Sequence, residues 1–200
     1  MLANRYSTMS KSKALPAKVL LLGDPRLRKE CQAVGNPNDA NFLNHCQRLH
    51  ATLAAFRAEH GFGRAISAPQ IGVALRFIAV NLGDGAFTMI NPEITWRSEE
   101  TFTMWDDCMS FPFLLVRVRR HRSISLRYLD DGGRIQVLEK LDQATSELLQ
   151  HEIDHLDGVL AVDHALDKEA IVSREVFDEN PRLFAEMVDY VIEPGVEKQM

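Results

Sequence analysis

From residue 39 to about residue 60, apolar side chains return at Phe42, Cys46, Leu49, Leu53 and Phe56, at spacings of four and three. That period lays one stripe along a helix, and it predicts an amphipathic α-helix that Asp39 can cap. His45, His50 and His60 fall in or at the end of this helix; with no metal-spaced partner they read as packing or surface residues. Residues 76–82, 86–95 and 116–128 are instead rich in β-branched and aromatic side chains, and Gly83-Asp84-Gly85 divides the first two, so all three predict strands. Asp130-Asp131-Gly132-Gly133 marks a tight turn before a further strand at residues 135–138. Val116 and Val118 alternate with Arg117 and Arg119, and the set Arg117, Arg119, Arg120, Arg122 and Arg127 reads as a solvated strand face.

Helical periodicity returns from about Leu141, through Leu148, Leu149, His151, Ile153, His155 and Leu156, and ends at Gly158. Residues 19–22 form a short apolar run stopped by Gly23-Asp24-Pro25, which predicts an extended arm against the body. Residues 165–177 and 181–192 are compatible with short helices. Strands followed by a helix that packs against them indicate an α+β fold with antiparallel sheets.

Composition narrows the class. A chain of 200 residues that is 46% hydrophobic can bury one core, and its length suits a single compact domain. The formal net charge of −5 argues against a specific nucleic-acid site, whose affinity would need a broad basic surface. Cys31, Cys46 and Cys108 are odd in number and irregularly spaced, which is no disulfide framework and fits a reducing, cytoplasmic setting. There is no apolar run of the roughly 18 residues a membrane span needs, and no secretory h-region near the start.

The chemistry concentrates in Gln150-His151-Glu152-Ile153-Asp154-His155-Leu156-Asp157-Gly158. Positions i and i+4 stack on one face of a helix, so His151 and His155 can reach one metal ion. Glu152, turned off that axis, can act as a general base on a water without taking a coordination position. No histidine follows Gly158 at the spacing of a third imidazole ligand; Glu169 or Glu175 downstream could supply one, and an upstream residue is the better candidate.

Three separated stretches then line up with one family. His151-Glu152-Ile153-Asp154-His155-Leu156-Asp157-Gly158 resembles the H-E-x-D-H-L-x-G motif of peptide deformylases, Gly63-Arg64-Ala65-Ile66-Ser67-Ala68-Pro69-Gln70 resembles their G-x-G-x-A-A-P-Q segment, and Asp106-Asp107-Cys108-Met109-Ser110 resembles their E-G-C-x-S motif. The resemblance implies a peptide-deformylase-like α+β fold, with antiparallel sheets around the metal-binding helix. It divides the chain into a flexible tail over residues 1–14, a catalytic domain over 15–163 and a C-terminal helical extension over 164–200 packed on the same domain. Cys108, His151 and His155 become the ligands of one divalent metal, Fe2+ favoured, with Zn2+, Ni2+ or Co2+ also suited to the donor set. The implied reaction is hydrolysis of the N-formyl group of formylmethionyl peptides of nascent proteins, releasing formate. Glu152 moves the proton, and the Gln70 amide with the Met109 backbone N–H stabilises the oxyanion. Transient contact with the ribosome is a further expectation from the family.

Departures from the pattern gather in the two segments that would line the substrate cleft. Gly63 is retained, but Arg64 stands where the family has an aliphatic residue touching substrate. Ala65 replaces its second glycine and Ser67 its first alanine. Asp106 replaces a glutamate, with Arg120 available to pair with it, and Asp107 replaces the glycine before the cysteine. A carboxylate at 107 facing the thiolate would disfavour deprotonation of water and repel anions; facing solvent, it would do neither strongly. Gly63, Arg64, Ala65, Asp106 and Asp107 are the expected substrate-binding positions. These changes leave three readings open: a deformylase of formylmethionyl chains, a deformylase-like amidohydrolase for another N-formylated substrate, and a catalytically weak metal-binding interaction protein.

Overall fold

The computed structural model describes residues 14–83 and 85–192, so the expected N-terminal tail lies outside it but for Ala14. The first long helix, α1 (Ala40–His60), starts where Asp39 accepts hydrogen bonds from the N–H groups of Asn41 and Phe42, and stops at Gly61 in the left-handed region. Its stripe of Phe42, Cys46, Leu49, Leu53 and Phe56 packs on Phe77, Ala79 and Ile90 of the neighbouring sheet. His50 lies 3.0 Å from the Thr88 hydroxyl, a packing role as expected.

Two antiparallel sheets follow. The larger joins β1 (Ala65–Ser67), β2 (Phe77–Asn81), β3 (Ala86–Arg97), β6 (Ile124–Leu129) and β7 (Ile135–Leu138) in the order β1-β2-β3-β6-β7. The smaller joins β4 (Thr101–Asp107), β5 (Leu114–His121) and β8 (Ile171–Ser173) in the order β4-β5-β8. The β2–β3 hairpin turns at the glycine-rich stretch that predicted it, although residue 84 itself is outside the described residues.

The single strand expected over residues 116–128 is two strands in different sheets. Between them, the N–H of Arg122 donates to Glu100 O and the Ser123 hydroxyl donates to Leu141 O, so the bend is made by tertiary hydrogen bonds. Glycine and proline do not mark it. β4 also escaped the periodicity, because the threonines and Asp107 hide the buried positions Phe102 and Met104.

The solvated-face reading of the arginines fits Arg117 only in part, since that side chain is half-buried over the Trp105 ring and paired with Asp167, and it fails for Arg120. Arg120 is buried, and its guanidinium bridges Asp106, at 2.9 Å, and Asp154. The helical expectation over residues 165–177 also gives way. Residues 171–173 pair with β5, because the β5 edge offers unpaired backbone groups. Helix resumes as α3 (Arg174–Glu179) and α4 (Pro181–Ala185), the second much shorter than residues 181–192, and Tyr190 forms a bridge to Met104.

The helix that carries the two histidines, α2 (Gln143–Leu156), is capped by Asp142. Its Leu148, Leu149, Ile153 and Leu156 bury against Ile78, Val80, Met89, Ile124 and Leu126 of the larger sheet. Toward the smaller sheet it presents polar groups, tied by Arg120 to Asp154 and by Asp106 to His151. Gly158 follows at φ 73 with Arg28 O so close that a Cβ would sit 2.7 Å away, so only glycine lets the chain leave α2 against the N-terminal segment. That segment runs extended: Leu20 N–H donates to Gln70 O and Leu22 N–H to Ser110 O, both at 2.8 Å.

Candidate active site

One turn of α2 separates His151 from His155, and the loop after β4 delivers Cys108 to the same face. The three donor atoms lie within 4.8 Å of one another, with Cys108 Sγ 3.2 Å from His155 Nε2, and all three residues are buried. A thiolate and two imidazoles converging in this way, with no fourth ligand among the described residues, fit a divalent ion that keeps an open position. Glu169 and Glu175 are exposed and take no part in this cluster.

A second layer of groups fixes the donors. Asp106 Oδ1 stands 2.9 Å from His151 Nδ1, which directs the other ring nitrogen toward the cluster, and Asp106 is itself held by Arg120. The shorter aspartate therefore still reaches the histidine and the arginine at once. Burial raises the Asp106 carboxyl, but His151 and Arg120 outweigh it and hold the group well below the usual carboxylate range. Burial likewise lowers His151, while the charges of Asp106 and Cys108 lift it well above its ordinary value. His155 goes the other way, down to about 3, through burial and the neighbouring His151. The Ser110 N–H donates to Cys108 Sγ at 3.4 Å. Asp154 ties α2 to Arg120 and to His164, the latter at 3.1 Å.

Glu152 is buried, and its carboxyl is pushed up chiefly by that burial, which makes it a better proton acceptor near neutral pH. Its Oε2 accepts from the Ser67 hydroxyl at 2.5 Å, and the same hydroxyl lies 2.8 Å from Glu152 O. Ser67 also sets the second polar group. Its N–H donates to Gln70 Oε1 at 2.8 Å, which leaves Gln70 Nε2 pointing inward, 3.3 Å from Ser110 Oγ and 3.7 Å from Cys108 Sγ. Met109 follows Cys108, with its side chain against Gly63. Gly63 sits at φ 117, a backbone conformation that residues with a Cβ rarely adopt, and it lies against the mobile end of the Met109 side chain.

The remaining residues expected to bind substrate are more constrained than their positions in sequence suggest. Arg64 reaches α2, donating to Ala144 O at 3.1 Å and to the Glu147 carboxylate. Ala65 is buried in β1 opposite Val80. Asp107 pairs with Arg174 at 3.0 Å and is a third exposed, so its charge is neutralised on the outer side and the repulsion feared at the thiolate is offset. Arg174 also donates to Pro112 O and lies over the Phe62 ring, linking both cleft segments to the C-terminal part of the chain.

Glu147, Arg174 and the hydroxyl contact of Ser67 were missed by sequence reasoning. Glu147 carried a signal, since it sits four residues before His151 on the buried face of α2, where a lone carboxylate needs a partner. Arg174 carried none, because its partners come from distant segments.

Comparisons with known proteins agree with this geometry. Residues 16–170 match the model of the family described as polypeptide deformylase. The peptide deformylase of Thermotoga maritima is 32% identical over 158 residues, 79% of this chain and 92% of that protein. The one from Treponema pallidum (strain Nichols) is 37% identical over 149 residues, 74% and 86% of the two chains. The crystal structure of the Thermotoga maritima enzyme superposes with a TM-score of 0.68, covering 76% of this chain and 99% of that one. The Met-Ala-Ser-bound class I type b peptide deformylase of Acinetobacter baumannii gives 0.66 at 26% identity, with coverage of 76% and 99%. With two histidines on one helix, a cysteine from the strand loop and this extent of shared sequence and fold, the chain belongs to the polypeptide deformylase family.

Proposed function

We propose that the chain is a metal-dependent hydrolase that removes the N-formyl group from peptides, nascent formylmethionyl chains among them, releasing formate and a free amine. The observation that carries this reading is the buried Glu152 beside the Cys108, His151 and His155 cluster, with Gln70 Nε2 directed at the same space. A protein that only held a metal for interaction would need neither the adjacent buried carboxylate nor the oriented amide.

In this reading Cys108, His151 and His155 hold the ion, and the ion when bound supplies Lewis acidity and lowers the pKa of water. Glu152 takes the proton of the attacking water and passes it to the departing nitrogen. Ser67 keeps the carboxylate turned toward that path. Gln70 Nε2 and the Met109 N–H donate to the oxygen of the former formyl group as it gains charge, a contribution typically of about 10² to 10³ in rate per donor. The buried walls keep bulk water from competing for these donors. Ferrous iron, a cytoplasmic location and transient contact with the ribosome complete the reading as expectations that the resemblance to the family supports.

The test is formate release from formyl-Met-Ala-Ser by anaerobically iron-loaded protein, beside a Glu152→Ala control. Glu152-dependent release establishes the reading, and silence with the metal demonstrably bound removes it.

A further inference from the structure

We propose that Arg64 and Glu147 form a specificity-determining pair through which the cleft receives an oxygen-acceptor side chain, carboxamide or carboxylate, on the substrate residue that bears the formyl group. The inference rests on the deformylase reading and adds a substrate class to it.

α2 sets Glu147 four residues before His151, on the same face and about 6 Å back along the axis. A formamide carbon placed at the cluster has its own residue's Cα two bonds away. A side chain of glutamine or glutamate length on that residue, when directed back along α2, is long enough to reach the neighbourhood of Glu147. What it meets there is decided by exposure: the Glu147 side chain is 3% exposed and that of Arg64 33%, so of the pair it is the guanidinium, and not the carboxylate, that an incoming group can reach. Arg64 spends one donor on Ala144 O and one on Glu147, out of the five a guanidinium carries.

An apolar side chain laid on this surface would strip water from the guanidinium and return no hydrogen bond. A carboxamide or carboxylate oxygen replaces the lost water with a charge-assisted bond. Glu147, in turn, anchors Arg64 so that its planar donors are already oriented before substrate arrives. Methionine offers only a weak thioether acceptor, so formylmethionyl peptides remain substrates but rank lower.

The experiment measures kcat/KM for formate release by the iron-loaded full chain from formyl-Gln-Ala-Ser, formyl-Glu-Ala-Ser, formyl-Met-Ala-Ser and formyl-norleucyl-Ala-Ser. Calorimetric binding of the deformylated products Gln-Ala-Ser, Glu-Ala-Ser and Met-Ala-Ser gives a readout independent of turnover. The glutaminyl or the glutamyl peptide is expected to exceed the methionyl one by about tenfold or more in kcat/KM, and its product to bind correspondingly tighter. The Arg64→Leu/Glu147→Leu double variant removes the pair as a unit and leaves no buried lone charge; in it the order should reverse. Preference of the native protein for the methionyl or norleucyl peptide overturns the inference while leaving the deformylase reading intact, as does an order unchanged in the folded double variant. Silence across the whole panel, with metal bound, overturns both.

Discussion

The Ser67 hydroxyl lies 2.5 Å from Oε2 of Glu152, so a residue on the first cleft segment holds the carboxylate that α2 places beside the metal ligands. Removing the hydroxyl leaves the carboxylate free to rotate while the fold around it stays packed. Ser67→Ala should lower kcat about fivefold, the worth of one ordinary hydrogen bond, with KM within about twofold and metal content unchanged. Steady-state kinetics beside elemental analysis checks this; an equal change in KM would point to a substrate contact instead.

Glu152→Ala should keep the metal and lose at least about 10²-fold in kcat, because proton transfer is then left to solvent. A loss of metal along with activity would show that the carboxylate supports the ion rather than the proton path.

Cys108→Ala removes the only thiol in the cluster and should reduce the metal retained after dialysis to a small fraction of that in the native chain. Full occupancy by elemental analysis would take Cys108 out of the ligand set.

Buried Arg120, held between Asp106 and the half-buried Asp154, predicts a stability effect alongside any on catalysis. Arg120→Leu takes the guanidinium from two carboxylates, one fully enclosed, leaving them only His151 and His164 as partners, and should destabilise the fold by about 3–5 kcal/mol. Denaturant unfolding measures it.

Glu147 makes stability pH-dependent in a direction opposite to that of most carboxylates. Burial pushes its carboxyl up from 4.5 to about 7, with Arg64 opposing, so between those values the folded chain holds a proton that the unfolded chain has released. Its stabilising contribution is complete below about pH 4.5 and is lost as the pH rises through about 7, a change on the order of 3 kcal/mol. Unfolding curves of the native chain and Glu147→Gln, compared across that window, should differ by this falling slope. Parallel curves would place the group's titration elsewhere.

The elements legible in the sequence were those whose signal is local. The stripe of α1, its Asp39 cap and the i, i+4 histidines of α2 need only a helical period to be seen. The cluster itself was legible because three short segments each kept a recognisable pattern. What could not be read depends on partners far away in the chain. Arg120 looked like its exposed neighbours until Asp106 and Asp154 enclosed it, and Asp107 looked threatening to the thiolate until Arg174 arrived from after β8. The strand at residues 171–173 likewise exists because β5 has an edge to fill, a fact about topology that local propensity does not encode.

The extended N-terminal arm, hydrogen-bonded through Leu20 to Gln70 O and through Leu22 to Ser110 O, bears on when the enzyme can first work. It latches together the two loops that carry Gln70 and Cys108, while His155 is contributed 47 residues after that cysteine. The arm thus waits on residues much later in the chain, and a chain made only as far as Cys108 lacks the two histidines of the site. Such widely separated pairings form late in folding, after the hairpins and helices are in place. Hydrolytic competence should therefore rise in step with the last phase of refolding, so that turnover serves as a clock for completion of the native topology.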